Sequence, residues 1–244
     1  MRVTSELFTL NTATGPMQTR VYRPLATGSF PAIIFYSEIF QETDPISRMA
    51  TVLAGHGFVV LVPEIFHELN PMGTVLGYDD AGKNKGNCDK ATKPLEAHDS
   101  DTVAMVDFIR AQSWSRGKIG SMGVCIGGHL AYRAAVNPDI AAAFCLYATD
   151  IHSGGIPSQS GNDSLSRTKD IRGELYMVFG KQDPHVSGEG RRKIQQNLED
   201  AGTNYSWLEV NAEHAFMRDG DARHDPALAL EMYQKAIALF KRTL

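Results

Sequence analysis

The chain has 244 residues, 43% of them hydrophobic and 21% charged, with 24 Lys and Arg against 28 Asp and Glu and a formal net charge of -4. That is enough apolar material for a sizeable core in one α/β domain, and the lack of a basic cluster leaves nucleic acid and anionic membrane without an electrostatic footprint. No stretch approaches the roughly 18 apolar residues of a membrane span, and the first residues have no signal-peptide core, so a cytoplasmic protein acting on a small molecule is expected.

In chain order, Met17 to Arg23 alternates like an early antiparallel strand, and Pro31 to Ser37 (PAIIFYS) is a continuous apolar run suited to a strand buried on both faces. A helix over Ile46 to Ala54 stops at Gly55 and Gly57, and Phe58 to Pro63 (FVVLVP) is another buried strand. Residues Glu64 to Pro94 are rich in Gly, Asn, Asp and Lys without a clear period, which predicts a lid-like insertion.

Leu95 to Ala111 follows as an amphipathic helix, then a strand over Lys118 to Val124, a helix from Ile126, and a strand over Ala141 to Tyr147. A polar excursion spans Ala148 to Asp170. The last third predicts strands over Glu174 to Gly180 and Tyr205 to Val210, separated by a helix over Arg191 to Asp200, and a final helix over Pro226 to Arg242 opened by Asp225. This alternation implies one domain over 1–244 with a mostly parallel central sheet and helices on both faces.

Active residues of such sheets gather just beyond the carboxyl ends of the strands. Those positions hold Glu38, Glu64, Cys125, Asp183 and His214, a set that contains a nucleophile, an acid and a base. Gly123-Val124-Cys125-Ile126-Gly127 has the form G-x-C-x-G, a nucleophile elbow with sulfur in place of oxygen. A strand that turns directly into a helix strains its central residue and leaves no room for side chains two positions away, so both glycines have a mechanical role. The helix N-terminus behind the tip favours a thiolate. Gly120, Gly123, Gly127 and Gly128 do not form the dinucleotide pattern G-x-G-x-x-G. Asp183 and His214 follow the next two suitable strands in the chain order nucleophile, acid, histidine.

With these motifs in place, the sequence resembles the dienelactone hydrolase family of α/β-hydrolases, through SEIF (37–40), VPEIF (62–66), GVCIGG (123–128), GKQDPHV (180–186) and EHAFMRD (213–219). The resemblance implies an α/β-hydrolase fold and a triad of Cys125, His214 and Asp183, with an oxyanion hole from the backbone N–H groups of Ile126 and Ile39. It also implies that Glu38 contacts the resting thiol and that Arg218 pairs with Glu38 and meets substrate. Family members that hydrolyse dienelactone carry a second arginine shortly after the strand equivalent to Phe58–Pro63. By motif alignment that place falls near Glu68, which predicts that acidic lactones lose their usual advantage.

The expected reaction is hydrolysis of activated esters or enol lactones through a thioester. Phe40, Phe66, Tyr78, Tyr147 and Phe216 are candidates for the pocket wall. His185 is expected to be a packed or supporting neighbour of Asp183, Cys145 a core residue and Cys88 an exposed loop thiol. Three cysteines make neither a disulfide framework nor a zinc site. His67, His98, His129, His152 and His224 lack the H-E-x-x-H spacing, so neither metal nor cofactor is expected. Two other readings stay open: a small-molecule receptor on a hydrolase scaffold with slow turnover, and a redox-sensing thiol protein. Monomer and homodimer are equally compatible with the sequence.

Overall fold

The computed structural model describes residues 1–244. Eight strands form one sheet: β1 (Val3–Thr12), β2 (Gly15–Pro24), β3 (Phe30–Tyr36), β4 (Val59–Pro63), β5 (Ser115–Val124), β6 (Ile140–Leu146), β7 (Glu174–Gly180) and β8 (Tyr205–Val210). Their spatial order is β1-β2-β4-β3-β5-β6-β7-β8. Only the β1/β2 and β2/β4 pairs are antiparallel, and the remaining pairs are parallel.

The helices are α1 (Asp44–Gly55), α2 (Asp80–Thr92), α3 (Leu95–Arg110), α4 (Ile126–Ala134), α5 (Gly188–Asp200) and α6 (Pro226–Thr243). Because side chains alternate along a strand, the apolar run of β3 divides between two cores. Ala32, Ile34 and Tyr36 pack with Met105, Leu130 and Ile194 of α3, α4 and α5. Ile33 and Phe35 pack with Met49 and Leu53 of α1 and Met232 of α6. No helix is long and apolar enough to cross a membrane.

Two elements differ from the sequence-based expectation. Residues 3–12 form β1, an edge strand whose residues are largely exposed or half-buried, so it lacks the apolar alternation that marks a covered strand. Within the segment read as an aperiodic insertion, residues 80–92 are helical. Asp79 caps this helix by accepting the Gly82 N–H at 2.8 Å, and its buried residues are only Gly82, Gly86 and Asp89. A helix that docks through glycines shows no apolar stripe, which is why its period is invisible in a hydropathy reading. Cys88 accordingly lies exposed on a helix and not in a loop.

Candidate active site

Cys125 sits between β5 and α4 with φ 61° and ψ −126°. A Cβ on Gly123 would lie 1.9 Å from the Gly127 carbonyl oxygen, and one on Gly127 would lie 2.1 Å from the Tyr36 oxygen. Only glycine fits either place, so the elbow is written into the chain by close backbone approach. Gln41, Tyr147, Asp150 and Ala215 are the other non-glycine residues in the left-handed region, and each lies in a loop at or beside the same cavity. Strain of this kind persists where surrounding structure over-determines a functional geometry.

His214 is 5% exposed, and its Nδ1 lies 2.7 Å from Oδ2 of Asp183. The other oxygen of Asp183 accepts the His185 N–H at 2.8 Å, so the carboxylate is held from both sides. Tyr147 packs edge-on to the His214 ring with centroids 5.0 Å apart, and His185 with centroids 4.6 Å apart. Burial disfavours the protonated ring, but the electrostatic influence of Cys125 and the bond to Asp183 outweigh it and push His214 up to about 10. The arrangement therefore favours a protonated His214 ring. In contrast, burial and the neighbouring His214 lower the protonation tendency of His185.

The Ile126 N–H is the first amide of α4 and has no partner within the helix. The Ile39 N–H donates to no protein acceptor. Both groups are thus free to meet an oxyanion at the elbow.

Glu38 is 2% exposed and its carboxylate is engaged by Arg218, with no hydrogen bond to the Cys125 thiol. Arg218 donates from Nη2 to Oε1 at 2.6 Å and from Nε to Oε2 at 3.2 Å, and its Nη1 donates to Asp221 at 3.1 Å. Tyr78 donates to Oε2 of Glu38 at 3.2 Å while its ring lies 4.2 Å from the guanidinium carbon. Burial opposes the charge on Arg218, and the adjoining Glu38 more than restores it.

Cys125, His185, His214, Ile39, Tyr78, Arg218 and Asp221 face a cavity of about 550 Å³ lined also by Phe40, Thr149, Asp150 and, from α2, Asp80, Lys83, Asn87 and Lys90. The α2 residues escaped the sequence reading, although the i, i+4, i+7 spacing of Lys83, Asn87 and Lys90 on a capped polar helix was the available signal. Lys90 pairs with Asp150 at 2.9 Å and Arg223 with Asp221 at 2.8 Å, which leaves Lys83 as the cavity cation without an acidic partner.

Several expected placements are corrected. Of the five candidate wall aromatics, Phe40 and Tyr78 line the cavity, whereas Phe66, Tyr147 and Phe216 are fully buried in the cores because their side chains point to the sheet faces. Glu68 lies outside the cavity. It accepts from Thr14 at 2.7 Å and pairs with Lys93 at 2.8 Å, next to His67 and Asp101, so it offers no repulsion to an anionic substrate. His67, Glu68 and Asp101 bring three ligand atoms together, but the Lys93 ammonium already supplies their cation, at 2.5 Å from Asp101. Asp183, His185 and His214 also converge, with the Asp183 and His214 atoms already engaged with each other. Cys145 is fully buried in β6, where burial pushes its thiol up and keeps it inert.

The family model for the dienelactone hydrolase family matches residues 17–244. A Saccharomyces cerevisiae protein provisionally named a carboxymethylenebutenolidase is 37% identical over 257 residues, covering 100% of this chain and 93% of that protein. The carboxymethylenebutenolidase of Pseudomonas putida is 26% identical, covering 77% of this chain and 75% of its own length. Among solved structures, a provisionally named dienelactone hydrolase from Klebsiella pneumoniae superposes with a TM-score of 0.85 at 19% identity, over 99% of this chain and 100% of that one. The family match runs from the second strand to the last residue and so includes the elbow, the cavity and the loops that frame it: this chain belongs to the dienelactone hydrolase family.

Proposed function

We propose that the protein hydrolyses carboxylic esters or lactones through a thioester on Cys125. The observation that carries this reading is the convergence of the strained elbow cysteine, the Asp183-bound His214 and two free backbone N–H groups at one cavity. The Cys125 thiolate attacks the acyl carbon, and the N–H groups of Ile39 and Ile126 receive the oxyanion. His214, charged and oriented through Nδ1 by Asp183, gives its proton to the departing oxygen as the C–O bond breaks. The neutral ring then takes a proton from water, whose oxygen attacks the thioester and releases the acid. A thiolate is a better leaving group than a simple alkoxide, so forward collapse favours esters with stabilised leaving oxygens, such as aryl esters and enol lactones.

The direct test is intact mass during turnover of an aryl ester. A transient acyl adduct that maps to Cys125 supports the reading, and rapid turnover with no adduct and no sensitivity to Cys125→Ala sinks it.

The curated relatives are named for a lactone that bears a carboxylate. With Glu68 out of the cavity and Arg218 held by Glu38 and Asp221, Lys83 is the cation available to such a group. Its ammonium is exposed, so the pair is worth only about 1 kcal/mol, or up to about fivefold in rate. Lys83→Ala is expected to lower kcat/KM for dienelactone by that factor relative to a neutral aryl ester. A ratio that does not move removes Lys83 from substrate recognition.

A further inference from the structure

We propose that Gly86 of the lid helix α2 is a positioning residue for the oxyanion hole, setting the place of the Ile39 N–H by direct backbone contact. This rests on the thioester reading above. A Cβ on Gly86 would lie 2.6 Å from the Ile39 carbonyl oxygen and 2.8 Å from the Ile39 Cβ. Contacts this short need atoms to shift, and the atoms in question belong to the residue that offers the free N–H. The helix cannot easily yield, because one turn earlier it is packed as closely, and a Cβ on Gly82 would lie 2.1 Å from the Gly77 oxygen.

The chain just before α2 grips the same loop. The Leu76 N–H donates to the Phe40 carbonyl at 3.0 Å, and Tyr78 packs edge-on against Phe40 with centroids 4.7 Å apart while donating to Glu38. Residues 38 to 41 form a tight turn closed by the Gln41 N–H on the Glu38 carbonyl at 3.1 Å, with Gln41 at φ 69°. Segment 76–86 therefore clamps this turn at Glu38, Ile39 and Phe40. In this arrangement the lid is part of the frame of the oxyanion hole, and α2 is joined to the chemistry by a missing side chain. A few tenths of an ångström matter here, since an oxyanion donor acts only within hydrogen-bond distance of the developing charge.

The experiment compares two reactions of the same thiol. In single-turnover acylation by p-nitrophenyl acetate, sulfur bonds to the acyl carbon, the C–O bond breaks and p-nitrophenoxide leaves with the electron pair, through an oxyanion. Alkylation by iodoacetamide displaces iodide at a saturated carbon and forms no oxyanion. Gly86→Ala is expected to slow acylation by about ten- to hundredfold, the range for losing much of one oxyanion donor, with KM nearly unchanged and alkylation within about twofold of wild type.

Asn84→Ala, on the exposed face of α2 away from the cavity, is expected to acylate at close to the wild-type rate. Should Gly86→Ala fail to fold, Leu76→Pro tests the same clamp by deleting the N–H donated to Phe40, and is expected to slow acylation alone. Acylation at the wild-type rate in Gly86→Ala, an equal fall in acylation and alkylation, or an identical selective loss in Asn84→Ala overturns the proposal. If Cys125→Ala still acylates, it is the thioester reading that fails; if only the Gly86 and Leu76 variants behave as wild type, the positioning role alone fails.

Discussion

Cys125→Ala and His214→Ala each lower kcat/KM for an aryl ester by about 10⁴-fold or more, because the members of such a constellation act as a unit. The double variant is expected to be hardly worse than either single one, since in the proposed reaction the Cys125 thiol and the His214 ring act as one pair, and Cys125 is the largest of the influences that raise His214. Asp183→Asn costs less, by roughly a hundredfold relative to the single variants above, because the thiolate still supports the ring charge after the 2.7 Å bond is weakened. Steady-state kinetics on the four proteins checks this. Additive losses in the double variant, or near-wild-type rates in Cys125→Ala, would remove the pair from the reaction.

The residues of this constellation were legible because each is announced by a local rule. The elbow needs glycine at 123 and 127 for backbone approach, and Asp183 and His214 follow strands whose apolar runs are unambiguous. What the sequence did not disclose is governed by side-chain direction and by docking without apolar surface. Phe40 and Phe66 both follow buried strands, yet one faces the cavity and the other the core beside His98. Tyr147 leaves β6 with φ 37°, a turn that drives its ring inward against His214, and no hydropathy pattern records such a turn.

Glu68 shows the limit of motif alignment. Its offset after β4 is suitable, but the chain bends towards Thr14 and Lys93 before reaching the cavity rim. The wall it was expected to supply comes instead from α2, whose polar composition conceals that it is a helix at all. The segment that opens and forms α2 thus carries Asp79, Asp80, Lys83, Asn87 and Lys90 to the cavity, and Glu68 takes no part in its wall.

Arg218→Gln is expected to cause the largest loss of stability among the site variants. It leaves the Glu38 carboxylate, 2% exposed, with only the Tyr78 hydroxyl as a hydrogen-bonding side chain, and an uncompensated buried charge of this kind costs about 3–5 kcal/mol. For a chain of this size that corresponds to a fall in Tm of roughly 10 °C. Glu38→Gln/Arg218→Gln, which removes both charges together, recovers most of the stability. Thiol reactivity separates the two single variants by sign. Glu38→Gln leaves an unmatched guanidinium at the cavity and speeds alkylation of Cys125, whereas Arg218→Gln leaves an unmatched carboxylate that opposes the thiolate and slows it. Thermal unfolding together with iodoacetamide rates checks both statements, and equal stability of Arg218→Gln and the double variant, or alkylation rates that shift in the same direction, would show that the buried pair governs neither the fold nor the thiol.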